Sequence, residues 1–401
     1  MKRLMMLTVL MCCLCSLASA EVTLVVSAYS FGPSVSALLV DAERPLTDDE
    51  INQLIVTTAG IEREVEACTY DEAAHQLRID LIDKNVMQCP LFVNETGTGR
   101  RIWAETYPVV ISGAIQADED AINSRICPDA SLFNVRMEHE GIRLAAYEPE
   151  ALAGNETNPL IIWLHGAGEG GDNIDVALLG NEVTLLAKEQ IQRHFTSADG
   201  TAGAYVLIPQ CTTMWMDEGD GKNGEGLGAS RYTEALMDAI NMYLASNEDV
   251  DTKRIYLGGC SNGGYMTLNM CAVYPGVFAA AFAVCEAYDT SEDYDRIDAL
   301  MDQPIWFVQS IDDMVVDPQR YVIPTYADLI YEDAADCWLS MFDGYNHAVW
   351  NAVFHDLVDG VQDPMLVSEE MVTEPDRVKG GAYTANGVSN LFDWLNLHIL
   401  M

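Results

Sequence analysis

The chain has 401 residues, 49 % of them apolar. That is enough for a sizeable buried core and too much chain for one small domain. Its net charge of −41, from 62 acidic against 21 basic side chains, excludes nucleic acid and anionic membrane surfaces as partners and suits neutral or cationic substrates, or solubility in an extracellular or salty medium.

Residues 1–20 read as a secretory signal. Lys2 and Arg3 precede an apolar stretch from Leu4 to Leu17, and Ala18-Ser19-Ala20 follows. The stretch is short for a membrane span, and none of Cys12, Cys13 or Cys15 follows a small residue as a lipobox requires. The mature chain is therefore expected to begin at Glu21, to be secreted (extracellular or periplasmic), and to carry no membrane span. Eight cysteines remain after the signal, with no CxxC spacing among them, so neither a metal site nor a cofactor is expected. Cys260, Cys271 and Cys285 sit in apolar contexts, as plain buried thiols do.

Residues 21–127 have the texture of β structure. Val22, Leu24 and Val26 alternate with polar positions, as do Leu77, Ile79 and Leu81; "RRIWAETYPVVIS" reads as a further strand broken at Pro108. Short strands between polar turns predict a small all-β sandwich. Around Cys127-Pro128-Asp129 the texture changes, and a hairpin through Phe133, Val135, Met137, Gly141, Ile142 and Leu144 leads into a second domain, residues 128–401.

Continuous apolar runs then alternate with helical patterns. The runs are "LIIWL" from Leu160, "YVLI" from Tyr205, "IYL" from Ile255, "AAFAV" from Ala280, "IWFV" from Ile305 and "WLSMF" from Trp338. Buried strands separated by helices predict an α/β domain with a mostly parallel sheet and helices on both faces.

The chemistry-bearing motif is Gly259-Cys260-Ser261-Asn262-Gly263, a G-x-S-x-G between the run "IYL" and a helical pattern through Tyr265, Leu268 and Ala272. It is neither a Walker loop, for no Lys-Ser/Thr pair follows, nor a G-x-G-x-x-G. The serine would stand on a tight turn as nucleophile, with the helix N-terminus facing a developing oxyanion. Base and acid should follow it in the order acid, histidine. His347, in a loop five residues past "WLSMF", is the expected base, with His355 the alternative. Past "IWFV", Asp312, Asp313 and Asp317 are the acid candidates, and Glu286 and Asp289 the next; spacing alone does not separate Asp313 from Asp312. "LIIWLHGAGEGG" supplies the second part of an oxyanion hole, one N–H from Gly166 or Ala167 joining that of Asn262. "DEGDGKNGEG" (217–226) has acidic residues and glycines but misses the EF-hand spacing, and reads as a solvated loop. Asn94 and Asn155 head glycosylation sequons.

Taken together, "PLIIWLHGAGEGGDN", "RIYLGGCSNGGY", "PIWFVQSIDDMVV" and "NHAVW" resemble the α/β-hydrolase superfamily, and more closely secreted esterases and peptidases related to prolyl oligopeptidase, some with an immunoglobulin-like N-terminal domain. The resemblance implies an α/β-hydrolase fold, Ser261 as nucleophile, Asp313 as acid (because a "Met-Val-Val" step follows it) and His347 as base. Two departures stand out: Asn346 where glycine commonly precedes the base, and a long acidic segment from Asp356 to Lys379. The expected function is a secreted serine hydrolase acting on small-molecule or polysaccharide-linked esters, with a serine peptidase as the alternative enzyme and a catalytically dead binding scaffold as the non-enzymatic one.

Overall fold

The computed structural model describes residues 21–121, 124–149, 158–196, 203–227, 229–291, 295–334, 336–361 and 384–401. The proposed signal, the Asn155 sequon and most of the acidic segment after Asp356 lie outside the described residues.

The chain forms two compact units. The first comprises residues up to Val26, Val35–Cys89 and Glu105–Ile126; the second takes Ser27–Ser34, Pro90–Ala104 and Cys127–Met401. A single boundary at 127/128 thus does not describe the packing. A hairpin of Phe92–Asn94 with Arg101–Trp103 belongs to the second unit, because Phe92 and Trp103 join its apolar core.

The first unit holds two sheets, of five and four strands. Arg63 is buried in it and donates to the Val35 carbonyl (3.1 Å) and the Thr58 hydroxyl (3.3 Å). The strand expected to break at Pro108 breaks earlier: Arg101–Trp103 and Thr106–Ser112 are separate, and Pro108 lies within the latter. Proline has no N–H for the ladder, and the strand Ala117–Ala121 shifts register opposite it, passing from Glu119↔Val109 to Ala121↔Thr106.

The second unit is built on eight strands: β1 Val135–His139, β2 Ile142–Tyr147, β3 Asn158–Leu164, β4 Tyr205–Gln210, β5 Val250–Cys260, β6 Ala280–Val284, β7 Ile305–Ser310 and β8 Cys337–Phe342. Their spatial order is β1-β2-β4-β3-β5-β6-β7-β8. The first two pairings are antiparallel and the rest parallel. Each of the six apolar runs seen in the sequence falls within one of the parallel strands.

The helices used below are α1 Ile174–Leu179, α2 Thr233–Ala245, α3 Asn262–Val273, α4 Val322–Tyr331, α5 Trp350–Phe354 and α6 Leu391–Leu397. Alternation along β3 shows why both faces need cover. Leu160, Ile162 and Leu164 enter one apolar cluster, with Leu236 and Ile240 of α2, Leu268 of α3 and Leu329 of α4. Ile161 and Trp163 enter the other, with Leu178 of α1, Val353 of α5 and Trp394 of α6. A strand buried on both faces has no polar alternation to show, hence the unbroken apolar runs. Among the described residues no helix is long and apolar enough to cross a membrane.

Candidate active site

Strand β5 ends at Cys260 and α3 begins at Asn262, so Ser261 alone makes the turn. Its φ of 55° and ψ of −115° lie in a region that a side chain rarely occupies. The turn is held from both sides: the Ser261 N–H donates to the Val284 carbonyl (2.9 Å) and the Ser261 carbonyl accepts the Tyr265 N–H (2.9 Å). The flanking glycines are required by space. A Cβ on Gly263 would lie 2.0 Å from the Leu164 carbonyl oxygen, and one on Gly259 2.6 Å from that of Gly263. Both obstacles are backbone and cannot rotate away. Gly263→Ala is expected to cost roughly 3 kcal/mol or more, since α3 must move off β3 to make room. The urea unfolding midpoint measures this; a wild-type midpoint would contradict the packing described.

The loop after β7 carries the candidate acids. Asp313 is buried. Its Oδ1 accepts the N–H groups of Val315 (2.8 Å) and Val316 (2.9 Å), and its Oδ2 lies 2.8 Å from His347 Nδ1. Gln309 Nε2 adds a longer bond to Oδ2, at 3.3 Å. Asp312 serves another purpose: its Oδ1 accepts the Asn346 N–H (3.1 Å) and the Ser310 hydroxyl, which ties the acid's loop to the histidine's. Asn346 has φ of 50°. This is the left-handed backbone that glycine would supply, and asparagine is among the side chains that tolerate it best, so the departure at this position keeps the loop's path.

The other candidates lie elsewhere. His355 Nε2 meets Glu182 Oε2 (3.0 Å) beyond the end of α5. His398, the one further histidine after Ser261 in the sequence and not a candidate, lies by Asp336 and packs on Trp394. Asp317 caps the turn before α4 through the Gln319 N–H (2.9 Å). Asp289 is paired with Arg320 (3.1 Å), and Glu286, pushed up to about 8 by burial, accepts the Tyr288 N–H.

Ser261 and His347 line one cavity of about 420 Å³, together with Gly166, Ala167, Asn262, Met216, Val315, Val316, Tyr321 and Trp350. Among the described residues, the N–H groups of Ala167 and Asn262 have no hydrogen-bond partner, whereas the Gly166 N–H donates to Glu169 Oε2 at 2.9 Å. Of the two alternatives in this loop, Ala167 is therefore the donor left available, and Gly166 is not. Asn262 also acts through its side chain, which accepts the Met216 N–H (3.1 Å) and donates to Asn223.

Sequence reasoning missed several contributors. The stretch from Asp217 is solvated as expected, with residues 218–223 and Glu225 exposed, but it is anchored at Asp217 and borders the cavity. Asp217 is buried and accepts from the N–H groups of Gly219 (2.7 Å) and Gly221 (2.9 Å), and Asn223, Gly224 and Glu225 reach the cavity. Arg101, from the hairpin inserted between strands of the first unit, and Glu169 also line it. Trp350 packs edge-on to His347, with ring centroids 5.3 Å apart. Cys285, directly after β6, completes a set with Asp313 and His347 whose Sγ, O and N atoms lie within 4.8 Å of one another. Burial pushes its thiol far up, as it does those of Cys260 and Cys271. Asp313 already engages His347 Nδ1 and the Val315 and Val316 N–H groups, so the set reads as packing beneath the histidine.

His165, between β3 and the oxyanion loop, is wholly buried and pushed down to about 4 by desolvation. Its Nδ1–H donates to the Gly166 carbonyl (2.7 Å), and its Nε2 accepts the Cys211 N–H (3.3 Å). A proton on Nε2 would set donor against donor. The unfolded chain takes up that proton near 6.5, so the folded state loses stability as pH falls from about 6.5 towards 4, by up to ~3 kcal/mol. His165→Gln should flatten that limb of a urea stability–pH curve; an unchanged slope would contradict the assignment.

Comparison with known proteins agrees with this architecture. Residues 214–350, which include Ser261, Asp313 and His347, match the prolyl oligopeptidase family. Poly(3-hydroxyalkanoate) depolymerase C of Paucimonas lemoignei is 32 % identical over 114 residues, and the match spans 26 % of each protein, about a quarter of that curated relative's length. Among solved structures, a thermostable esterase superposes with a TM-score of 0.66 at 18 % identity, over 83 % of this chain and 96 % of the esterase. The acylaminoacyl peptidase of Pyrococcus horikoshii gives a TM-score of 0.39 at 13 % identity, over 79 % and 55 %. The strand order and the superposition on the thermostable esterase show a fold of the α/β-hydrolase type, within which residues 214–350 match the prolyl oligopeptidase family.

Proposed function

We propose that the protein is a serine hydrolase, and within that class a carboxylesterase working through an acyl-enzyme. The observation that carries this reading is the Asp313–His347 contact at 2.8 Å beside a cavity that also holds Ser261 on its strained turn. The Ser261 hydroxyl attacks the substrate carbonyl as His347 Nε2 takes its proton. The carbonyl oxygen, now negative, is received by the N–H groups of Ala167 and Asn262. Asp313 holds the Nδ1–H tautomer and stabilises the imidazolium. His347 then returns the proton to the leaving alcohol, and water, activated by the same imidazole, releases the acid.

Preference for esters over peptides is supported by the apolar rim. Met314 and Val315 are 85 % and 68 % exposed beside the acid's loop, and Val315, Val316 and Trp350 reach the cavity. These surfaces suit an uncharged acyl or alcohol group. The first unit's two sheets are proposed to be an immunoglobulin-like accessory domain, and the first twenty residues an export signal. A panel of p-nitrophenyl esters of increasing chain length, run beside peptide anilides, tests the reading. Esters should turn over with the anilides far behind. Anilide turnover at comparable kcat/KM would make the protein a peptidase, and no turnover of either would remove the enzyme reading.

A further inference from the structure

Glu169 is a carboxylate set against the back of the Gly166–Ala167 loop, and its surroundings are built around it. Its side chain is buried, with Oε2 on the Gly166 N–H (2.9 Å) and Oε1 on the Nδ2 of buried Asn181 (3.1 Å). Asn181 is itself oriented, because its Oδ1 accepts the Val183 N–H (3.0 Å). Gly180 makes room: a Cβ there would lie 2.3 Å from Glu169 Oε1. Burial pushes the Glu169 carboxyl up to about 7, and the charge of Arg101, which donates to the Gly180 carbonyl, offsets part of that cost.

These bonds fix two consecutive peptide planes. The plane between His165 and Gly166 is held by its N–H on Glu169. The plane between Gly166 and Ala167 is held by its carbonyl, which accepts His165 Nδ1–H (2.7 Å) and the Glu169 N–H (3.2 Å). In a trans peptide the N–H points opposite to the carbonyl. The Ala167 N–H is thereby turned away from these partners.

The geometry points to Glu169 as a positioning residue for the oxyanion donor Ala167, acting through the Gly166 N–H and not by touching substrate. The inference rests on the serine hydrolase reading above. Transition-state charge, unlike bound substrate, depends on that donor's aim, so the cost of disturbing it falls on kcat and not on KM.

The test is an exchange of functional groups. In Glu169→Gln one oxygen can still accept the Gly166 N–H, but the new amide nitrogen then faces Asn181 Nδ2, donor against donor. Adding Asn181→Asp supplies an acceptor for that amide while still accepting the Val183 N–H. Glu169→Gln is expected to lower kcat for a p-nitrophenyl ester by roughly 10- to 100-fold, less than the 10²–10³ of losing a donor outright, with KM little changed. Affinity for a trifluoromethyl ketone, which forms a tetrahedral adduct, should fall in parallel. The double variant should recover most of both. Wild-type kcat in Glu169→Gln, a loss confined to KM, or a kcat loss that the exchange leaves unrepaired in a folded protein would each overturn the proposal. If the double variant does not fold, the kcat and KM of Glu169→Gln decide. A wild-type protein that hydrolyses neither esters nor anilides would instead count against the parent reading.

Discussion

Ser261→Ala and His347→Ala should each lower kcat on a p-nitrophenyl ester by on the order of 10⁶, and the double variant should fall no further. The expected non-additivity follows from how the two groups act. On the proposed reading Ser261 attacks only while His347 removes its proton, so either loss ends the same step, and the residual rate comes from substrate binding and the oxyanion donors. Both side chains face the cavity, and neither stands in the apolar core. Ser261→Ala should therefore keep the wild-type unfolding midpoint, whereas His347→Ala should fold but with a lower midpoint, because it strips the buried Asp313 Oδ2 of its 2.8 Å partner. Matching drops in kcat with intact folding would fit; a multiplicative loss in the double variant would mean that the two residues act in separate steps.

Asp313→Asn should cost about 10⁴ in kcat, and the hydrogen bonds state why. The Oδ1 of Asp313 accepts two backbone N–H groups, from Val315 and Val316. An asparagine must keep its carbonyl oxygen there, which turns its amide nitrogen on His347 Nδ1. That nitrogen is then forced to accept, the imidazole proton moves to Nε2, and Nε2 can no longer take the proton of Ser261. Asp312→Asn should do far less, because Asp312 holds the Asn346 N–H and the Ser310 hydroxyl rather than the imidazole. Steady-state kinetics on both variants separates them; an equal fall in Asp312→Asn would mean that the two loops, and not the Asp313–His347 bond, carry the effect.

The sheet was legible in the sequence because six of its strands are buried on both faces, which no surface polarity obscures. Ser261 was legible because a serine on so tight a turn requires glycines on both sides, and that requirement leaves a motif. Asp313 against Asp312 was not legible from spacing. Neighbouring residues in a loop differ by which peptide groups they meet, and those are set by β7, β8 and the left-handed Asn346 together. Pro108 misled, since its lack of an N–H is absorbed by a register shift in the neighbouring strand. Arg101 and the Asp217 loop were out of reach for another reason. Arg101 arrives from a hairpin some 160 residues before Ser261, and the Asp217 loop is tied in by the side chain of Asn262, whose backbone alone had drawn attention. Glu169 did leave a trace: a carboxylate in the middle of "HGAGEGG", flanked by glycines and apolar strand, is costly to bury unless it holds something.

The central claim is that Ser261 is a nucleophile activated in this cavity, and covalent labelling tests it most directly. A fluorophosphonate probe applied to the protein, followed by peptide mapping by mass spectrometry, should place one equivalent of label on the peptide bearing Ser261, and none on Ser261→Ala. No labelling of the wild type, or equal labelling of Ser261→Ala, would contradict it.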